Sequence, residues 1–166
     1  MKGDEDNSPT GLYRLAAQHL IKTENNPYPT YELLKEDEVW FVVDTDSWGN
    51  KVAELRSLCQ QHPNWKIAQS NPCFEVWLYF HSFENRAVFQ WLESCNTWKA
   101  FLTENIPGGF NSNKHPIYIG RAIEYAERNF LSQNDAPEAG CTEVFRLAKV
   151  IYLFCRRKIE GILNRI

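Results

Sequence analysis

Two rhythms of apolar positions run along this chain. Leu12, Leu15, Ala16, His19 and Leu20 recur at helical spacing and predict an amphipathic helix from Thr10 to Lys22, with Thr10 as its N-cap. The polar residues 1–10 before it are expected to fray. After the charged residues that end at Glu38, Val39-Trp40-Phe41-Val42-Val43 is an unbroken apolar run, the pattern of a strand buried on both faces. A polar loop, residues 44–50, follows. Val52, Leu55, Leu58 and Cys59 then mark a helix that ends before Pro63, and Trp65 to Ala68 reads as a second strand. Strand, helix and strand at this spacing make a βαβ unit. Pro72 opens a further helix with Phe74, Trp77, Leu78, Phe80 and His81 on its heavy face. Val88, Trp91, Leu92, Cys95 and Trp98 predict a helix over 87–102. After a loop over 107–116, helices are expected over 119–130 and 142–163, separated by residues 135–140. The C-terminal half therefore reads as all-helical.

A length of 166 residues suits one domain, with ample apolar content for a core. Most of the six tryptophans are expected in that core or at a subunit contact. The formal net charge of −3 argues against a protein that coats DNA or RNA, because phosphate neutralisation carries such binding. It leaves open an enzyme that meets nucleic acid at one metal site, where the ion brings the positive charge. The five cysteines are odd in number and include no C-x-x-C, and the first residues are acidic and polar rather than signal-like. Free thiols in a cytoplasmic protein are the expectation. No apolar run approaches the ~20 residues of a membrane span.

Asp44-Thr45-Asp46 follows the first strand. Ligands of open α/β sheets sit beyond the carboxyl ends of strands, and two carboxylates one residue apart can share a hard cation such as magnesium or manganese. The same residues also suit a turn, with Asp46 or Ser47 capping the next helix. Ser70-Asn71-Pro72-Cys73-Phe74-Glu75 follows the second strand and should open on the same edge. Ser70 and Asn71 there can bind substrate, Asn71 through a phosphate or a metal-bound water, with Glu75 one helical turn away as a catalytic carboxylate. The alternative is a Ser/Asn turn with Glu75 near a positive helix end. Glu75 and His81 are the candidate bases. There is no H-E-x-x-H, P-loop or G-x-G-x-x-G, and Arg156, Arg157 and Lys158 read as a solvated helix face.

Asp37-Glu38-Val39-Trp40-Phe41-Val42-Val43-Asp44-Thr45-Asp46, with Ser70-Asn71-Pro72-Cys73-Phe74-Glu75-Val76-Trp77-Leu78 and Phe80-His81, resembles the RloB-like proteins over roughly residues 8–150. Thr142-Glu143-Val144 resembles the last helix of that family. The resemblance implies a place in bacterial restriction and abortive-infection loci and a Toprim-like α/β fold. That fold has a small, mostly parallel sheet flanked by helices, here with a helical C-terminal extension, in a single domain over residues 1–166. It also implies magnesium (or manganese) on Asp44 and Asp46, cleavage of nucleic-acid phosphodiester bonds, and antiviral defence. The family's earlier strand, which carries a further glutamate, has no match, so the chain is expected to start after it. Thr45 stands where the family often has arginine. A sheet without that strand has an exposed edge, which a partner protein (such as an ATPase from the same locus) or a second copy would cover.

Three functions are therefore weighed. The first is a magnesium-dependent nuclease with Asp44, Asp46 and Glu75 at its centre. The second is a non-catalytic partner subunit that keeps the fold, and the third a domain that binds a phosphorylated ligand.

Overall fold

The computed structural model describes residues 7–87 and 91–165. Its centre is the expected βαβ unit. Strand β1 (Val39–Asp44) leads through a one-turn 3-10 segment, Asp46–Trp48, into helix α2 (Gly49–Cys59), and β2 (Trp65–Asn71) returns parallel to β1. Phe41 lies opposite Ile67 and Asp44 opposite Ser70, so both strands end together. The second strand runs three residues beyond its apolar stretch, because Gln69, Ser70 and Asn71 find partners in the tertiary structure.

Helix α1 (Pro9–Leu20) and α2 cover one face of the sheet. Phe41, Val43, Trp65 and Ile67 point there and bury Val52, Leu55 and Cys59 between them. Tyr13 ties α1 down: its hydroxyl lies 3.0 Å from His62 Nε2 and its ring meets Trp65 edge-on at 5.3 Å. The other face packs, through Trp40 and Ala68, on a larger core from α3 (Glu75–Tyr79), α4 (Cys95–Asn105), α5 (Ile119–Arg128) and α6 (Val144–Leu163). Trp65, Trp77 and Trp98 are buried, whereas Trp48 and Trp91 keep substantial exposure.

The C-terminal half is not all helix. Ser132–Gln133 (β3) and Ala136–Pro137 (β4) form a hairpin through Asn134 and Asp135, both at positive φ (51° and 61°), as a two-residue turn demands. Cys141–Thr142 (β5) then pairs antiparallel with Ser70 and Asn71. The main sheet, ordered β1-β2-β5, is thus small and mixed rather than mostly parallel. Two-residue strands have no periodicity to read.

Four other expectations change. Ser8, not Thr10, caps α1: its hydroxyl accepts from the Gly11 N–H at 3.2 Å, and Ser8 and Pro9 are buried rather than frayed, while residues 1–6 lie outside the described residues. β1 is not buried on both faces, since Val42 is 44 % exposed beside an edge that no described strand pairs. Pro72 precedes α3 rather than opening it, and the Asn71–Pro72 peptide is cis. α4 starts at Cys95, not Ala87, because Ser94 and Thr97 form a capping box there; Val88, expected on that helix, lies outside the described residues.

Candidate active site

The D-x-D turn is stitched to the exit of β2. The Thr45 N–H and hydroxyl both donate to the Ser70 carbonyl at 2.9 Å, and the Asp46 N–H donates to the Pro72 carbonyl at 3.0 Å. Gln69 Nε2 donates to Thr45 Oγ1 at 2.8 Å. These bonds hold Asp44 and Asp46 on either side of a fixed residue. Asp46 has φ 25°, a region few non-glycine residues adopt and Asp tolerates better than most.

The segment after β2 brings Glu75 to the same place. Burial raises the Asp44 pKa above the ordinary carboxylate value; an N–H bond from Phe74 and the Lys99 cation oppose this, and the charges of Glu75 and Asp46 add to it. The charges of Asp46 and Glu75 thus both reach Asp44. Lys99 Nζ approaches Glu75 to 3.9 Å from α4. Beneath them lie two thiols in contact, Cys73, fully buried, and Cys95 at the first turn of α4. Burial raises both above the usual thiol range, with Glu75 pushing the same way, so neither is primed as a nucleophile. A depression of about 320 Å³ opens on Asp44 between Pro9, Leu12, Val42, Trp48 and Phe74.

Ser70 and Asn71 end their strand beside this site but are engaged elsewhere. Ser70 is fully buried with its hydroxyl 2.7 Å from Thr142 Oγ1, and Asn71 Nδ2 donates to the Pro137 carbonyl at 2.8 Å. Both hold β5 and the hairpin to β2. His81 does not join the carboxylates: it is buried on Trp77 and Phe110, with Nδ1 3.1 Å from the Trp77 carbonyl.

A support that the strand pattern did not reveal is Glu143. Only 2 % exposed, it accepts from Arg56 Nη2 at 2.8 Å, Arg146 Nη1 at 2.7 Å and the Gln69 N–H at 3.3 Å. Arg56 also donates to Gln69 Oε1 at 2.9 Å. A polar chain therefore runs from Glu143 through Gln69 to Thr45. The sequence offered only the polar Gln69-Ser70-Asn71 run after Ala68 as a hint of it. Clefts of about 550 and 630 Å³ flank Trp40 and Lys66 on the far side of β2. Their cations are already matched: Arg56 and Arg146 by Glu143, Lys66 by Glu38, Lys149 by Glu127.

Among the described residues no three His, Cys, Asp or Glu side chains converge closely enough to cage a metal ion. Two carboxylates with water completing the shell remain within what magnesium accepts. A family model described as RloB-like protein matches residues 1–151. The chain belongs to the RloB-like family. No curated protein and no solved structure matches it. In this RloB-like protein the match spans the D-x-D turn, the Ser70–Glu75 segment and Glu143, the residues that build and brace the site. Among the described residues no helix is long and apolar enough to cross a membrane.

Proposed function

We propose that this RloB-like protein serves phage defence by cleaving nucleic-acid phosphodiester bonds at a Toprim-like site centred on Asp44, Asp46 and Glu75. The observation that carries this reading is the bonding of the Asp44–Asp46 turn to the Ser70 and Pro72 carbonyls, where two parallel strands end and the Glu75 segment begins. Asp44 and Asp46 would hold magnesium or manganese. Such an ion would polarise the phosphate and stabilise the leaving oxygen. The charges of Asp46 and Glu75 reach Asp44 and would favour a cation there, and the bonds through Thr45 hold the turn in place beforehand. Glu75, 17 % exposed and 3.9 Å from Lys99 Nζ, would take a proton from an attacking water.

The test is a thermal shift with manganese, run beside cleavage assays on single-stranded DNA, duplex DNA and RNA. At a hundredfold excess over the dissociation constant, binding contributes about 2.7 kcal/mol, a rise of roughly 5–11 °C. That rise is expected in the native protein and lost in Asp44→Asn and Asp46→Asn. Metal-dependent cleavage is expected to be weak for the chain alone and abolished by Asp44→Ala. An identical manganese response in all three proteins refutes the site. A second reading, a non-catalytic partner subunit, is favoured by the lack of three converging ligands among the described residues. It predicts manganese binding with no turnover on any of the three substrates.

A further inference from the structure

A lysine faces the carboxylates of the candidate site. Lys99 lies in the second turn of α4, four residues after Cys95 and so on the same side of the helix. That side looks towards the site: Cys95 meets Cys73 and feels the charges of Asp46, Asp44 and Glu75. The helix itself is firmly placed. Ser94 and Thr97 form its capping box, and Trp98, 1 % exposed, donates its indole N–H to the Leu92 carbonyl at 3.0 Å. The tip of the Lys99 side chain is held less tightly. Nζ is 3.9 Å from Glu75 Oε1, beyond hydrogen-bond distance, and the side chain is 62 % exposed. A fixed backbone thus carries a cation that can leave its carboxylate.

As a brace this contact is poor, because an exposed ion pair without a hydrogen bond adds little to stability. The Lys99 charge also reaches Asp44, where it works against a bound metal ion. An anion lying between the lysine and the ion removes that conflict. A phosphodiester is such an anion, and its two non-bridging oxygens allow one to face Asp44 and Asp46 through their ion and the other to face the ammonium. In hydrolysis the water oxygen bonds to phosphorus, the water proton passes to Glu75, and the bond to the leaving oxygen breaks with its electron pair. Negative charge builds on the phosphoryl oxygens meanwhile, and a cation already in place stabilises that state more than the ground state. Drawing Lys99 off Glu75 also frees that carboxylate for the proton. We infer that Lys99 binds the scissile phosphate of the nucleic acid, moving from Glu75 to a non-bridging oxygen as the substrate enters. This inference rests on the cleavage site proposed above.

The test takes the full chain and labelled oligonucleotides of single-stranded DNA, duplex DNA and RNA. Binding is read by fluorescence anisotropy in calcium, which takes oxygen ligands as magnesium does. Lys99→Gln should weaken binding of the preferred oligonucleotide about tenfold, and Lys99→Arg, which keeps the charge, about threefold or less. Lys35→Gln, an exposed position beside Asn64 at the other end of the sheet, should leave binding unchanged. With manganese, Lys99→Gln should lower kcat about a hundredfold and change KM less. Its manganese thermal shift should at least equal that of the native protein, since a repelling charge has gone. A smaller manganese shift would make Lys99 a brace for Glu75 and overturn the inference. Equal oligonucleotide binding by the native protein and Lys99→Gln overturns it too, as does equal weakening by Lys35→Gln. A native protein that shows no manganese shift and binds no oligonucleotide refutes the carboxylate site itself, and the inference with it.

Discussion

Replacing His81 by phenylalanine should remove an acid sensitivity built into the larger core. His81 is 3 % exposed, and its ring lies edge-on to Trp77 at 5.0 Å and to Phe110 at 5.5 Å. Burial lowers its pKa to about 4, with His115 and Arg121 pushing the same way and the Trp77 carbonyl opposing as it accepts the Nδ1–H. The unfolded value is about 6.5, so between these limits the unfolded chain binds more protons. The stabilisation from keeping this ring neutral is complete above pH 6.5 and is lost as pH falls towards 4. At pH 4.5 the loss amounts to about 2–3 kcal/mol. His81→Phe preserves the aromatic packing but gives up one hydrogen bond, at a cost of about 1 kcal/mol. The native protein should therefore be the more stable of the two at pH 7.5 and the less stable at pH 4.5. Other groups, Asp44 among them, titrate in both proteins and cancel in the difference. Urea unfolding followed by far-ultraviolet circular dichroism at several pH values measures it. Parallel pH profiles for the two proteins would show that this histidine is not the acid-sensitive group.

Two further perturbations test the supports of the site. Glu143→Ala removes the buried carboxylate that Arg56 and the Gln69 N–H share, leaving Arg56 only Gln69 Oε1, and should cost about 3 kcal/mol, roughly 6–12 °C in thermal unfolding; Arg146→Met, at a half-exposed position, should cost less than about 1 kcal/mol. Similar losses in both would mean that burial of Glu143 is not what matters. Gly140 has φ 75° and its added Cβ would lie 2.9 Å from the Ala87 carbonyl oxygen, so Gly140→Ala should cost about 2 kcal/mol by urea titration. Gly109, at φ 71° but with open space around it, supplies the control: Gly109→Ala should cost about 1 kcal/mol, and equal costs would assign the whole effect to backbone conformation.

The sequence by itself determined the parts of this protein that follow from short-range pattern. An unbroken apolar run followed by a polar turn located β1 and put Asp44 and Asp46 at its carboxyl end. Helical spacing located α2, α5 and most of α6. Tertiary structure decided what depends on partners remote in the chain. β5 exists because Gln69, Ser70 and Asn71 have a second edge to offer, and two residues carry no period of their own. Val42 is exposed because no described strand lies beyond β1, a fact about neighbours that its own apolar character conceals. Ser70 and Asn71 look like ligand-binding groups in isolation, yet the fold spends them on Thr142 and Pro137, since buried polar atoms must be paired. Glu143 becomes a brace for the D-x-D turn only when the chain brings it back beside Gln69, 74 residues away in sequence. Local pattern reports what a segment can bury; which hydrogen bonds and charges it must then satisfy is settled by what packs against it.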